Sequence, residues 1–534
     1  MPVYTLYHNG RIATMDDDNP RAEALAVSDG RILYVGSDAG ARAALAAAPH
    51  RVVDLGGRRV LPGFIDAHAH LSFFSMEHRH LRLKPLRSVS EIVEAVAAVA
   101  AKTPAGAWIR GSGYNHLTLA ERRHPTRREL DRAAPGHPVI LTRTCGHIAS
   151  VNTEALKRAG VALDAPDPPG GRLGREADGT LNGVLYDQAL AEIQQASAPD
   201  PDDLLDWMED GARVWARAGI VAFHDAGGPP GYFGVLARAY REGRIAQRVD
   251  AMVWNGLGIN QLAEFLPSRL ATGFHRGDFH IGAAKVMLDG SSSGPTAATR
   301  EPYRVNPAFS GILYHEEAEV RAIMAEAAEA GFQLTAHAVG DRAVAMAAAV
   351  IGAVGRRERR NRIEHCAMCP PDLRALLVEH AITPVAQPAF LHEFGDTYVE
   401  SYGAERGAAL FPLRSWMAAG LRVAGSSDSP VTDYRPLAGI AAAVGRVTSS
   451  GQVLAPHERL TLPDALRLYT RNPAWLAGAE EEWGVLRPGS WANLVVLGED
   501  LLRMTEPADM RACPVVRTVI KDRVVWDAEG EPDP

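Results

Sequence analysis

The sequence predicts an α/β protein: a (β/α)8 TIM-like barrel with a small β-sandwich built from both termini and an inserted subdomain after the first barrel strand. Three observations carry that expectation. Through the middle of the chain, apolar strand-like runs alternate with Ala-rich helical segments such as "RAIMAEAAEAGFQ" and "MAAAVIGAVGRRERR". Eight such runs can be counted, and they end in polar, potentially reactive residues. Both chain ends instead consist of short alternating stretches punctuated by Gly and Pro.

Taken in order, residues 1–59 contain "VYTLYHNGRIATM", "ALAVSDGRILYVG" and the start of "RVVDLGGRRVLPG", with NG, DG and GG turns. Residues 480–534 repeat the style in "GVLRPGSWANLVVLG" and "VVRTVIKDRVVWD". Neither end is large enough for a comfortable core, so the two are expected to pair into one composite sandwich. Residues 60–479 then hold the barrel, with strands expected at "LPGFIDAHAH", "PVILTRTCGH", "GIVAFHDAGG", "AAKVMLDGSS", "FQLTAHAVGD", "NRIEHCAM", "ITPVAQPAF" and "LRVAGSSDSP". The stretch 76–205 is too long for one βα connection, and its "WIRGSGYNH" and "DAPDPPGGRLGREADGTLNG" predict an insertion covering the barrel mouth.

Composition narrows the function classes. The 534 residues are 46% hydrophobic and 22% charged with a net charge of −8, and like charges do not cluster, which argues against nucleic acid or an anionic membrane as partner. No apolar run approaches the about 18 residues that span a bilayer, and the start lacks the pattern of a secretion signal, so a cytoplasmic location and a small-molecule substrate are expected. Cys145, Cys366, Cys369 and Cys513 are too few for a disulfide framework, and the Cys366/Cys369 CxxC reads as packing thiols. Exposed edges of the terminal sheets predict a homodimer.

His68 and His70 stand two apart at the end of an apolar strand, so both rings face the same side, and two imidazoles there can grip a divalent metal. Lys285, His337, His365 and Asp428 fall at the ends of later strands, and their joint placement points to a shared metal site. Lys285 is anomalous in the core strand "IGAAKVMLDG", because a buried ammonium must be compensated. An ion pair with Asp289, four residues on, is one compensation.

The motifs "NGRIATMD", "LPGFIDAHAHL", "PTRRELD", "KVMLDGS", "HAVGDRA", "RIEH", "QPAF", "GSSDSPV" and "GVLRPGSWANLVVL" span essentially the whole chain. In them the chain resembles the amidohydrolase superfamily, and within it the branch of N-substituted formamide deformylases and YtcJ-like hydrolases. That resemblance implies a second compensation: Lys285 reacts with CO2 to give a carbamate bridging two metals, most readily zinc. It implies one metal on His68, His70, carbamylated Lys285 and Asp428, and another on Lys285, His337 and His365.

The chemistry expected is hydrolysis of a C–N bond, an amide such as an N-substituted formamide or N-acyl compound, by a metal-bridging hydroxide. Asp428 would shuttle the proton, and His147 and His224 would orient substrate or hold the oxyanion. Tyr114 and Asn115 stand where many relatives carry Trp-Asp, and Pro295 where an arginine is common, leaving Tyr114, Asn115 and Arg300 as substrate candidates. A mononuclear deaminase, an esterase or a lactonase stays open on the same scaffold. A non-catalytic assembly protein would have lost metal ligands that this chain keeps.

Overall fold

The computed structural model describes residues 3–45, 48–256 and 258–530. Its centre is an eight-stranded, nearly closed parallel barrel: β1 (Phe64–Ala69), β2 (Ile220–Asp225), β3 (Arg248–Gly256), β4 (Phe279–Met287), β5 (Leu334–Ala338), β6 (Arg362–His365), β7 (Thr383–Ala386) and β8 (Ala424–Gly425). Neighbours pair in chain order, with Trp254 opposite Lys285, Met287 opposite His337 and Ala338 opposite His365. The first and last strands meet at their C-terminal ends, where Asp428 N donates to His68 O and His70 N to Ser429 O. This register gathers the candidate residues at one rim.

One expected barrel strand is misplaced. The "PVILTRTCGH" run forms a strand at Val139–Arg143, but it belongs to the insertion, pairing parallel with Ile109–Tyr114 and antiparallel with Ile148–Val151. The barrel's third strand is "RVDAMVWNG", passed over because Arg248 and Asp250 interrupt its apolar pattern. Their charges close on each other, with Arg248 Nε and Nη2 at 3.0 and 3.1 Å from the Asp250 carboxylate. A continuous apolar run reports burial on both faces without saying in which sheet. Val139 and Leu141 pack against Val89, Ile92 and Val96, while Ile140 packs against Ala155 and Leu156.

The insertion's six-stranded sheet runs from Leu81–Arg82 to Leu181–Asp187. Three of its helices begin at side-chain caps: Ser88 accepts from Glu91 N, Asn152 from Ala155 N, and in "PTRRELD" the Glu129 carboxylate accepts from Thr126 N. The helix Pro201–Arg217, with Pro at its start and Asp202 and Asp203 in its first turn, returns the chain to β2.

Two further sheets come from the chain ends. One contains only N-terminal strands; in the other, Leu494–Leu497 pairs antiparallel with Arg59–Pro62, placing Val495 opposite Leu61. Tyr7, Leu25 and Val27 from the first sheet share a cluster with Val60, Leu494, Val496 and Val519 from the second. Buried Asp522 takes the Thr5 and Tyr7 hydroxyls at 2.7 and 2.6 Å, tying the C-terminal hairpin to the N-terminal strand. Cys366 and Cys369 are free, buried thiols in the barrel's main core. Among the described residues no helix is long and apolar enough to cross a membrane.

Candidate metal centre and active-site cavity

The site begins in β1, where alternation in "FIDAHA" turns Asp66 and His68 to the same side. His68 Nδ1 lies 2.6 Å from Glu364 Oε2 and His70 Nδ1 lies 2.7 Å from Gly227 O. With those nitrogens tied back, both Nε2 atoms face Asp428 Oδ1, at 3.3 and 3.2 Å. One donor atom from each of the three residues fits within a 4.8 Å group. Two imidazoles and a carboxylate, each ring oriented by an outer acceptor, suit a divalent cation. Glu364 is itself pinned by Arg362 Nε and Nη2 at 2.5 and 2.9 Å and by the Thr335 hydroxyl at 2.6 Å.

Lys285, only 2% exposed, reaches the same point from β4. Its Nζ lies 3.1 Å from Ala226 O and 3.3 Å from His68 Nε2. Asp289 does not compensate it: that carboxylate accepts from the backbone amides of Ala298, Val339 and Gly340 at 2.9, 3.0 and 2.9 Å. Burial pushes the Lys285 amine down to about 8, against the opposing pull of Glu364 and Asp428.

His337 and His365 complete the ring from β5 and β6. His337 Nε2 is 3.2 Å from Gly290 O, and His365 Nδ1 is 2.8 Å from Gln387 Oε1. Their centroids lie 4.5 Å apart, and that of His365 lies 5.0 Å from that of His68. Burial pushes His365 down to about 3 and His337 well below its ordinary value, so both rings are neutral, the form that binds metal. Burial would raise the Asp428 carboxyl, but His68 and His70 hold it well below the usual range, so it stays an anion. His365 and Asp428 also adopt left-handed backbone, with φ of 67° and 54°. Such conformations cost about 1–3 kcal/mol in a non-glycine residue and persist where the surroundings enforce them.

All six residues line one cavity of about 180 Å³, whose remaining wall comes largely from the insertion. A model of the amidohydrolase family matches residues 51–526. The chain belongs to the amidohydrolase family. It is 29% identical over 546 residues to an N-substituted formamide deformylase of Arthrobacter pascens, covering 98% of each chain. To the "Putative amidohydrolase YtcJ" of Bacillus subtilis (strain 168) it is 28% identical over 538 residues, covering 98% of this chain and 99% of the relative. Among solved structures, an uncharacterized metal-dependent hydrolase from Pyrococcus horikoshii OT3 superposes with a TM-score of 0.77 at 25% identity, covering 94% of this chain and 98% of that one.

In this amidohydrolase His147 joins the six, although it stands on the insertion and not at the end of a barrel strand. Its Nδ1 is 3.1 Å from both Asp187 Oδ1 and the Tyr314 hydroxyl, which itself donates to Asp187 at 2.5 Å. Its centroid lies 5.2 Å from that of His337. Nε2 is left as the ring's free polar atom among the described residues.

Four expected residues lie elsewhere. His224 points away from the cavity: its Nδ1 accepts from Arg362 Nη1 at 2.8 Å, beside a separate small void shared with Asp250 and Gln333. Tyr114 is buried with its hydroxyl on His124 Nδ1 and Ser150 Oγ, and Asn115 Oδ1 takes Leu117 N and Arg143 Nη2. Arg300 sits at the surface, paired with Asp372 at 2.8 Å. The orienting residues Glu364, Asp187, Tyr314 and Gln387 were missed, and only Glu364 carried a signal, a carboxylate inside the otherwise ligand-like strand "RIEH".

Proposed function

We propose that this amidohydrolase is a metal-dependent hydrolase of a carbon–nitrogen bond, acting on an amide such as an N-substituted formamide or an N-acyl compound. The observation that carries the reading is the convergence of His68, His70, Lys285, His337, His365 and Asp428 on one cavity, with the outer nitrogens of four rings held by acceptors. In this reading His68, His70, Lys285 and Asp428 would hold one divalent ion and Lys285, His337 and His365 a second, zinc being the best match to imidazole and oxygen donors. Lys285 serves as its carbamate: the neutral amine adds CO2, an N–C bond forms and one proton leaves. The bound cations supply an electrophile and lower the pKa of water.

The chain's own residues do the rest. Asp428, ionised and in reach of both β1 histidines, takes the proton from the attacking water at a carboxylate oxygen. As the C–N bond breaks it passes that proton to the departing nitrogen, so amide and water become acid and amine. His147, its ring fixed by Asp187 and Tyr314 beside His337, orients the substrate in the cavity. The relative from Arthrobacter pascens named as an N-substituted formamide deformylase favours this substrate class.

The test is a panel of formamides, N-acyl amines, esters and lactones, run on zinc-loaded protein with metal analysis of Asp428→Asn and Lys285→Ala. The reading expects amide turnover that falls by at least about a thousandfold in Asp428→Asn. Turnover of esters or lactones without amides would refute it.

A further inference from the structure

The insertion supplies a stretch of cavity wall with polar groups that the proposed chemistry leaves unused. Arg110 and Ser112 stand on the strand Ile109–Tyr114, His80 follows the helix Leu71–Glu77, and Gln194 lies on the helix Ala191–Ala196; all four line the cavity of the six candidate metal residues. His80 Nε2, Ser112 Oγ and Gln194 Oε1 are buried and lack a hydrogen-bond partner among the described residues. Buried polar atoms are rarely left unpaired, and three on one wall point to a ligand that completes them.

The charge on that wall is positive, lies 5.9 Å from the Trp108 ring centroid, and has no acid against it among the described residues. Arg110 donates twice to Ser197 O, at 3.1 and 2.7 Å, and its guanidinium has no ion-pair partner among the described residues. His80 faces it: burial and then Arg110 push the imidazole down to about 3, so it is neutral. Glu77 also lines the cavity, but the cations bearing on it are Lys84 and Arg82, and burial moves its carboxyl towards the neutral form. Arg143 differs from Arg110, because its guanidinium is spent on Ser293 O, Asn115 Oδ1 and His116 Nδ1. Phe73, Ile140 and Trp254 add an apolar lining to the same cavity.

We infer that this wall is a carboxylate subsite, so that the substrate is an amide whose apolar arm ends in a carboxylate held by Arg110, Ser112 and His80. A guanidinium free of acidic neighbours takes a carboxylate in paired, charge-assisted hydrogen bonds. The Ser112 hydroxyl and a His80 Nε2–H donate alongside it, and the Gln194 amide, turned by half a rotation, presents its NH2. The substrate assignment rests on the amide-hydrolysis reading; the binding claim does not.

The test is calorimetric titration of the zinc-loaded full chain, in an Asp428→Asn background so that the amide is not hydrolysed to the acid, with 4-phenylbutanoate and its uncharged amide, 4-phenylbutanamide. The acid is expected to bind about tenfold or more tightly than the amide, and Arg110→Gln to abolish that preference while leaving amide binding unchanged. Arg110→Lys should keep an intermediate preference. Equal binding of the two probes while Arg110 is in place overturns the proposal. So does a preference retained in Arg110→Gln, since the acid is then held at the metal. If Arg110→Gln does not fold, Ser112→Ala decides: the preference must fall about threefold, and no change overturns the proposal. Absence of amide turnover would strike the proposed function while leaving this binding result standing.

Discussion

Glu364→Gln is the substitution that tests the centre most directly. The Glu364 carboxylate is fully buried, 2.6 Å from His68 Nδ1, and it also receives Arg362 and Thr335. Gln has nearly the same shape, so packing is kept and the change removes the charge. Burial would raise the Glu364 carboxyl, but Arg362 and His68 outweigh it and keep the group ionised. An amide can donate as well as accept, so the His68 tautomer with Nε2 free is no longer enforced, and the Arg362 charge is left to His224, the Ala67 carbonyl and a neutral amide. Loss of an outer-shell partner costs about 10–100-fold in metal affinity, or about 1.4–2.7 kcal/mol. Breaking a buried ion pair costs about 3–5 kcal/mol; because Arg362 keeps two acceptors, a loss near 3 kcal/mol is expected in the metal-free protein. Zinc affinity by chelator competition and thermal unfolding of the metal-free form read the two effects separately. Zinc affinity within about twofold of the unaltered protein would refute the assignment of Glu364 as the group that aims His68.

Lys285→Ala should lose bound metal and the carbamate carbon signal that ¹³C-bicarbonate is expected to give by NMR in the unaltered protein. Only the neutral amine adds CO2, and burial places Lys285 at about 8, so carbamate formation in metal-free protein should climb as pH rises through that value. His147→Ala should lower kcat by about 100–1,000-fold with little change in KM, and Asp187→Asn should reproduce part of that loss through the His147 ring, both read by steady-state kinetics. Asp522→Ala leaves the buried Thr5 and Tyr7 hydroxyls without their shared acceptor. A loss of about 2–4 kcal/mol is expected, read as a lowered midpoint in thermal unfolding, with kcat unchanged because the site is elsewhere.

The barrel and six of its rim residues were legible because strand periodicity and strand ends are local properties. His68, His70, His337 and His365 stand at the ends of apolar strands, Lys285 near the end of Phe279–Met287 and Asp428 just past Ala424–Gly425, and the parallel register does the rest. What was not legible depended on pairing between distant residues. Arg248 and Asp250 look unfit for a core strand until they are seen to neutralise each other. Val139–Arg143 looks like a barrel strand because two helical layers of the insertion bury it as thoroughly as a barrel would. His224 ends an apolar run just as His337 does, yet Arg362 draws its ring to another void. Tyr114 and Asn115 belong to the right segment, but their polar atoms are consumed within the insertion; the neighbouring Ser112 and Arg110 reach the cavity instead.

That offset separates two demands on the chain. The barrel residues are held by acceptors from other strands: Glu364 for His68, Gln387 for His365, and the Gly227 and Gly290 carbonyls for His70 and His337. One nitrogen of each ring there is answered inside the protein, so the arrangement is rigid and suited to chemistry common to many substrates. On the insertion wall the reverse holds among the described residues: His80 Nε2, Ser112 Oγ and Gln194 Oε1 are unanswered and Arg110 is unpaired by acid. Groups left unsatisfied discriminate strongly, because a ligand lacking the complementary atoms leaves them buried and unpaired. Exchanging residues on the insertion wall should therefore change which amide is accepted, whereas exchanging Glu364 or Gln387 should reduce turnover of every amide alike.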